Sequence, residues 1–161
     1  MLWPVYVSYP NLVRRPVKQM LDTKQESWAW LVQWVEDMPS HHAILAPWTA
    51  FILPLLQACR DEGLDRYFRV GQSMSHIIFS TAENHCLEQY DPPPPRVTLI
   101  HEPEKRQWSI AWSYQNLWFS QPDRQHLVNS DNAFPTLKRY LADLWRETRL
   151  DEAVPPSLPT E

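Results

Sequence analysis

Apolar and polar positions alternate most clearly between residues 97 and 114. Val97 and Leu99 flank a threonine, and beyond a charged turn at residues 102–106 the apolar positions resume at every second residue. In this second run they are Trp108, Ile110, Trp112 and Tyr114. The residues between them are small, so that face is expected either to meet solvent or to lie beneath a closely packed helix. The two runs and their turn predict a β-hairpin.

Two segments combine helical spacing of apolar residues with signals for a helix start. Residues 28–35 carry an apolar stripe, and ahead of it Thr23 and Glu26 have the spacing of a capping box. Pro39 is expected to end this helix. Residues 131–145 begin with Asp and Asn as candidate caps, place a proline in the first turn and continue as a second apolar stripe. An amphipathic helix is therefore predicted near each end of the chain.

A third apolar stretch, residues 43–58, also repeats every three to four residues. Its two prolines predict a helix that begins near Pro47 and is kinked at Pro54, because each proline removes a backbone donor. The stretch is shorter than the roughly 20 residues that span a bilayer. We therefore interpret it as a core helix, with Gly63 as its stop signal.

Strands are also expected at residues 3–9, where flanking prolines favour a sheet edge, and are favoured within residues 67–79, although 74–79 also fit a helix. The predicted helices are grouped and do not alternate regularly with strands. The sequence thus predicts a single α+β domain, residues 1–150, in which an antiparallel sheet of about four or five strands packs against three main helices. Residues 151–161 hold three prolines and little to bury, so a disordered Pro-rich C-terminal tail is expected.

Fifteen Lys and Arg residues against nineteen Asp and Glu residues give a formal net charge of −4. This balance disfavours nonspecific attraction to nucleic acid phosphates or to an anionic membrane surface. The two cysteines, Cys59 and Cys86, suit a reducing compartment, and the first nine residues lack the pattern of a secretory signal. We expect a cytoplasmic protein with no membrane partner, and nucleic acid is a disfavoured partner.

The chain has only two glycines, Gly63 and Gly71. A loop that cradles phosphates in a doubly wound fold needs glycine-rich turns after strands, so nucleotide binding by that device is excluded. His101, Glu102 and Glu104 surround the predicted hairpin turn, where polar residues are ordinarily solvated and hold no metal. The sequence therefore predicts neither a cofactor nor a metal site.

The nearest candidates for a nucleophile with a base are Cys86 beside His85, and two serines near His76. Adjacent side chains on a helix or strand diverge, and no nucleophile-elbow sequence surrounds either serine. No catalytic residue is therefore assigned. A small hydrolase or ligand-binding enzyme that uses His76, His85 or Cys86 remains an alternative interpretation.

Nine tryptophans in 161 residues point either to a heavily aromatic core or to an adhesive face. Interface centres are enriched in Trp, Tyr and Arg, so the leading hypothesis is a protein-binding module such as a toxin-neutralising immunity protein, a secretion chaperone or an adaptor. Complementary charge favours a basic toxin or effector as its partner. A structural protein that self-associates as a homodimer through exposed aromatics is a further alternative.

The candidate binding residues lie in and around the predicted hairpin. The aromatic anchors are Trp112, Tyr114, Trp118 and Phe119, and Glu102 and Glu104 are the candidate acidic rim. Each aromatic residue taken singly also fits an ordinary sheet core.

Overall fold

A computed structural model describes residues 23–160 apart from gaps at 74–75, 84–86, 88–89, 103–104 and 118–119. The helices are α1 (Lys24–His41), α2 (Ala46–Asp61) and α3 (Ala133–Thr148), and 3₁₀ turns at Ala43–Leu45 and Leu64–Arg66 flank α2. The strands are β1 (Arg69–Ser73), β2 (His76–Ser80), β3 (Arg96–Glu102), β4 (Gln107–Ser113) and β5 (Arg124–Val128). The strand predicted at residues 3–9 lies outside the described residues.

The five strands form one antiparallel sheet in chain order, β1-β2-β3-β4-β5. The predicted hairpin is β3 and β4, which pair from Arg96 with Ser113 to Glu102 with Gln107. β5 pairs antiparallel with β4 and has no counterpart among the predicted strands. The three helices and the antiparallel sheet confirm the predicted α+β fold.

The three helices pack on the same face of the sheet. Their ring contacts with the strands are Trp28 to Phe79 at 5.8 Å, Phe51 to Trp108 at 4.2 Å and Tyr140 to His126 at 5.7 Å between centroids. The strand register places these three partners on one face. One hydrophobic cluster therefore joins α1, α2 and α3 to the sheet.

The opposite face of the central strands is also buried. Ser109, Ala111 and Ser113 on β4 are each at most 1% exposed, and Thr98 on the neighbouring strand is 2% exposed. Small side chains permit close packing on a sheet face. Of the two predictions for this face, exposure to solvent is therefore wrong for these positions.

The capping box predicted for α1 is present. The Thr23 hydroxyl accepts a hydrogen bond from the Glu26 N–H at 3.1 Å, and the Glu26 carboxylate accepts one from the Thr23 N–H at 2.6 Å. The prediction that Pro39 ends the helix is wrong, because α1 continues to His41. A proline cannot donate to the carbonyl four residues back. Here that carbonyl, on Val35, accepts from the Thr49 hydroxyl at 3.3 Å.

α1 covers the β1 edge of the sheet. The Trp28 indole N–H donates to the Phe68 carbonyl at 2.7 Å, and the Val70 N–H donates to the Ser27 hydroxyl at 3.1 Å. A covered edge is protected from pairing with another chain. The opposite edge, β5, differs because four of its five residues are exposed.

α2 buries only one of its sides. Its buried side chains are Trp48, Thr49, Ile52, Leu55, Leu56 and Cys59. Its exposed side, here called the α2 outer face, consists of Ile44 in the preceding turn and of Ala46, Pro47, Ala50, Pro54 and Gln57. The observed start of α2 confirms the predicted helix start near Pro47. The interpretation of residues 43–58 as a core helix holds only for the buried side of α2.

Ala43–Asp61 is, among the described residues, the one helical stretch long and apolar enough to cross a membrane by these two criteria. Only 28% of its apolar stretch is buried. Core helices of water-soluble proteins can pass the same test, so length and composition alone do not assign it to a membrane.

The C-terminal segment differs from the predicted disordered tail. Leu158 is 4% exposed within the hydrophobic cluster. The Trp145 indole N–H donates to the Ala153 carbonyl at 3.0 Å, and the Arg146 guanidinium donates to the Pro159 carbonyl at 2.7 Å. Val154 also packs against this cluster, so the C-terminal segment is attached to α3 by apolar contacts and by two hydrogen bonds.

The described tryptophans belong mainly to the core. Trp28, Trp48, Trp112 and Trp145 are at most 5% exposed, and Trp30, Trp34 and Trp108 are half-buried. Of the two explanations for the tryptophan content, the aromatic core holds for the residues that the structure describes.

Candidate functional site

An open, shallow groove of about 640 Å³ lies where the end of β4, the start of β5 and α3 meet. It is lined by Trp112, Tyr114, Asp123, Arg124, Asp143, Arg146 and Glu147. The antiparallel return of the chain positions these residues, since the Asp123 N–H donates to the Trp112 carbonyl at 2.8 Å. On α3 the lining residues are three and four positions apart, the spacing that places side chains on one side of a helix.

Arg124 lies between two aromatic rings at one side of the groove. Its guanidinium carbon is 5.0 Å from the centroid of the Trp112 ring and 4.4 Å from that of Tyr140. A cation within about 6 Å of a ring centroid is attracted by the ring's quadrupole. The Tyr140 hydroxyl and His126 Nδ1 are 2.7 Å apart, a hydrogen bond that fixes the Tyr140 ring.

Asp143 joins the two arginines of the groove. Its carboxylate accepts from Arg124 at 2.6 Å and from Arg146 at 3.0 Å. Arg146 also donates to the Pro159 carbonyl, so the C-terminal segment helps to fix it. Both guanidinium groups of the groove are therefore already bound within the chain.

Tyr114 is the most exposed aromatic residue of the groove, at 40%. Its hydroxyl donates to the Glu147 carboxylate. This hydrogen bond, with smaller contributions from burial and from the charges of Glu147 and Asp123, raises the pKa of Tyr114 above its ordinary value. The ring stands edge-on to Trp112 at 6.2 Å between centroids, which leaves much of it accessible to a ligand.

The groove has an excess of negative charge. Its lining holds three carboxylates, on Asp123, Asp143 and Glu147, against two guanidinium groups. Asp143 satisfies both arginines, and Asp123 forms no ion pair with any residue that the structure describes. Asp123 and Glu147 are therefore the carboxylates able to contact a cationic ligand beside an exposed aromatic ring.

Two of the predicted anchors, Trp112 and Tyr114, do line this groove. Trp112 is only 5% exposed, since it belongs to the hydrophobic cluster and Arg124 lies over its ring, so it presents little contact surface. Trp118 and Phe119 lie outside the described residues.

Glu102, one of the two predicted acidic-rim residues, lies far from Tyr114. Glu102 lies at the β3–β4 turn and pairs with Lys105 at 2.5 Å, whereas Tyr114 follows the other end of β4. A seven-residue strand separates the two ends by about 20 Å. Glu104 lies outside the described residues. The carboxylates near Tyr114 come from the start of β5 and from α3. Because β5 was not predicted, nothing in the sequence indicated that these residues lie near Tyr114.

The alternative catalytic residues are only partly described. His76 lies half-buried in β2, where burial lowers its pKa, and His85 and Cys86 lie outside the described residues. Burial raises the pKa of the Cys59 thiol, which makes this cysteine a poor nucleophile. In the described part of the chain no group of three or more His, Cys, Asp or Glu residues is arranged to hold a metal ion.

Comparison with known proteins gives no family or function, since no family model, curated protein or solved structure matches the chain.

Proposed function

We propose that the protein is a cytoplasmic protein-binding module whose groove takes a basic segment of its partner. The observation that carries this proposal is the exposed Tyr114 ring in a groove that also holds the carboxylates of Asp123 and Glu147. A lysine or arginine side chain finds there an aromatic face and two negative charges. Among such modules, one that neutralises a basic toxin or effector makes the best use of the acidic charge.

The expected affinity for a short peptide is weak. An exposed ion pair contributes about 0–1 kcal/mol and an exposed cation–π contact about 0.5–1 kcal/mol. These contributions sum to about 2 kcal/mol at most, so a single basic residue should bind with a dissociation constant of roughly tens of millimolar. A whole partner protein would add the larger interface that stable complexes need.

NMR titration with a blocked Gly-Arg-Gly peptide tests the proposal. We expect saturable shifts of the Tyr114 ring and Trp112 indole signals, because these groups line the groove. A Gly-citrulline-Gly peptide has nearly the same shape without the charge, and it should leave these signals unchanged. Equal shifts with both peptides, or none with either, would refute the proposal.

A matched pair of variants locates the binding. Glu147→Gln removes a groove carboxylate, and Glu36→Gln makes the same change on the exposed surface of α1. The arginine peptide should bind at least threefold more weakly to Glu147→Gln and unchanged to Glu36→Gln. The same loss in both variants would show that only net charge matters and would contradict a groove-specific site.

Self-association is a second candidate function, favoured by the α2 outer face. Ile44 is 87% exposed, and residues 43–59 carry no charged side chain. A two-fold contact between two such faces brings no like charges together. We expect sedimentation velocity to show a concentration-dependent dimer that Ala50→Glu abolishes and Leu150→Glu, at another exposed apolar position, does not. A wild-type protein that is still monomeric at about 0.5 mM would exclude self-association as its function.

A further inference from the structure

The slot between Trp112 and Tyr140 has the composition of a guanidinium-binding site. Two aromatic rings lie 5.0 and 4.4 Å from the Arg124 guanidinium carbon, and the Asp143 carboxylate accepts from its N–H group at 2.6 Å. Aromatic stacking and a carboxylate in the guanidinium plane are the two means by which proteins recognise arginine. The site is therefore complete, and the chain's own arginine fills it.

The resident arginine is bound at the surface. The Arg124 side chain is 43% exposed and the Asp143 side chain 40% exposed. Ion pairs at such positions are weak, since water competes for both groups. Arg124 can thus leave the slot without unpacking the hydrophobic cluster, to which it does not belong.

We infer that a partner's arginine replaces Arg124 between Trp112 and Tyr140, and that the groove consequently selects arginine over lysine. This inference rests on the proposed function, specifies its ligand as arginine, and places the guanidinium over Trp112 in the part of the groove next to Tyr114. Lysine presents a compact ammonium group, which lacks the planar surface that stacks on aromatic rings. Asp123, which has no ion pair within the described chain, lies in the same groove as a new partner for the released Arg124.

Competition by the resident arginine has a measurable consequence. If the slot is vacant in about a tenth of the molecules, the wild-type protein binds arginine about tenfold more weakly than a protein whose slot is empty. Removal of Arg124 should therefore tighten arginine binding, which is the opposite of the usual effect of deleting a side chain from a binding site.

The test compares Arg124→Ala with Arg146→Ala in NMR titrations with the blocked arginine peptide and its lysine counterpart. Both variants lose one positive charge that contacts Asp143, but only the first empties the slot. We expect about tenfold tighter arginine binding by Arg124→Ala, at most twofold by Arg146→Ala, and no such difference with lysine. Arg124→Gln, which retains the side-chain stem, serves if Arg124→Ala is not folded by circular dichroism.

The outcomes separate this inference from the proposed function. If the wild-type protein binds the arginine peptide in the groove but Arg124→Ala binds no more tightly than Arg146→Ala, replacement of Arg124 is refuted and the proposed function stands. If Arg124→Ala binds the lysine and arginine peptides with equally increased affinity, selectivity for arginine is refuted. Binding by the variant alone, with none by the wild-type protein, contradicts both proposals.

Discussion

The groove and the α2 outer face are two exposed surfaces built in opposite ways. In the groove both arginines are bound by Asp143, and Arg124 lies over the rings of Trp112 and Tyr140. The α2 outer face has no charge and presents aliphatic residues directly to solvent. The difference shows that tryptophan content is a poor guide to exposed adhesive surface here, because the described tryptophans serve the core and the most exposed large apolar side chains are aliphatic, namely Ile44, Leu127 and Leu150.

The largest expected effect distinguishes the two sides of α2. Leu56 is completely buried on the inner side, so Leu56→Ala should lower the free energy of unfolding by about 2–5 kcal/mol. Gln57→Ala, one residue along on the outer face, should change it by less than about 0.5 kcal/mol. Urea denaturation measures both values. Similar losses would mean that the outer face is packed against something in solution.

A smaller loss is expected in the groove. Arg124→Ala removes the ring contacts and the Asp143 ion pair, which should cost about 1 kcal/mol at this half-exposed position. Arg124→Lys should restore less than half of that, since the ammonium group does not stack as a guanidinium does. Urea denaturation with ¹⁹F-tryptophan NMR of Trp112 reports both the loss and the uncovering of the ring. No change in either would show that the stacked arginine is incidental.

The stability of the protein is expected to depend modestly on pH because of a histidine where α2 meets the sheet. Phe51 stacks on Trp108, and Trp108 stacks on His101 at 4.3 Å, where burial lowers the pKa of His101. His101 therefore binds a proton more readily in the unfolded chain than in the folded protein. Its contribution to the free energy of unfolding is fully present above about pH 6.5 and is lost as the pH falls below that value. Thermal unfolding from pH 7.5 to 5 should show a shallower decline for His101→Gln. An unchanged slope would assign the dependence to other groups.

The smallest expected effect is a change in the pKa of Tyr114 in the groove. Glu147→Gln removes the carboxylate that accepts from the Tyr114 hydroxyl, so the pKa of Tyr114 should move down towards its ordinary value. Difference absorbance at 295 nm against Tyr114→Phe isolates this residue from the other tyrosines. A Tyr114 pKa that is the same in both backgrounds would contradict the hydrogen bond.

Strong periodic patterns made much of the fold predictable. The α1 capping box and the β3–β4 hairpin depend on contacts between residues close in sequence, which the pattern records directly. β5 was missed because an edge strand with four exposed residues has no apolar alternation. The C-terminal attachment was missed because its apolar residues, Val154 and Leu158, are few and show no periodic spacing among the prolines.

The candidate site was predictable only in its aromatic half. Trp112 and Tyr114 belong to the alternating pattern of β4, whereas the carboxylates around them reach the groove from the β5 start and from α3. These residues are distant in sequence and come close together because β5 pairs with β4 and α3 packs beside them. Local spacing along the chain does not record such contacts. The acidic rim was therefore predicted at Glu102 and Glu104, near the hairpin turn, and Glu102 lies beside the opposite end of β4 from Tyr114.

The most direct test of the central claim is an isotope-filtered NOE spectrum of the wild-type protein with the blocked arginine peptide. The account predicts contacts from the arginine side chain to the rings of Tyr114 and Trp112, which line the groove. Contacts to Ile44 and the α2 outer face in their place would contradict it and would identify the aliphatic surface as the recognition site.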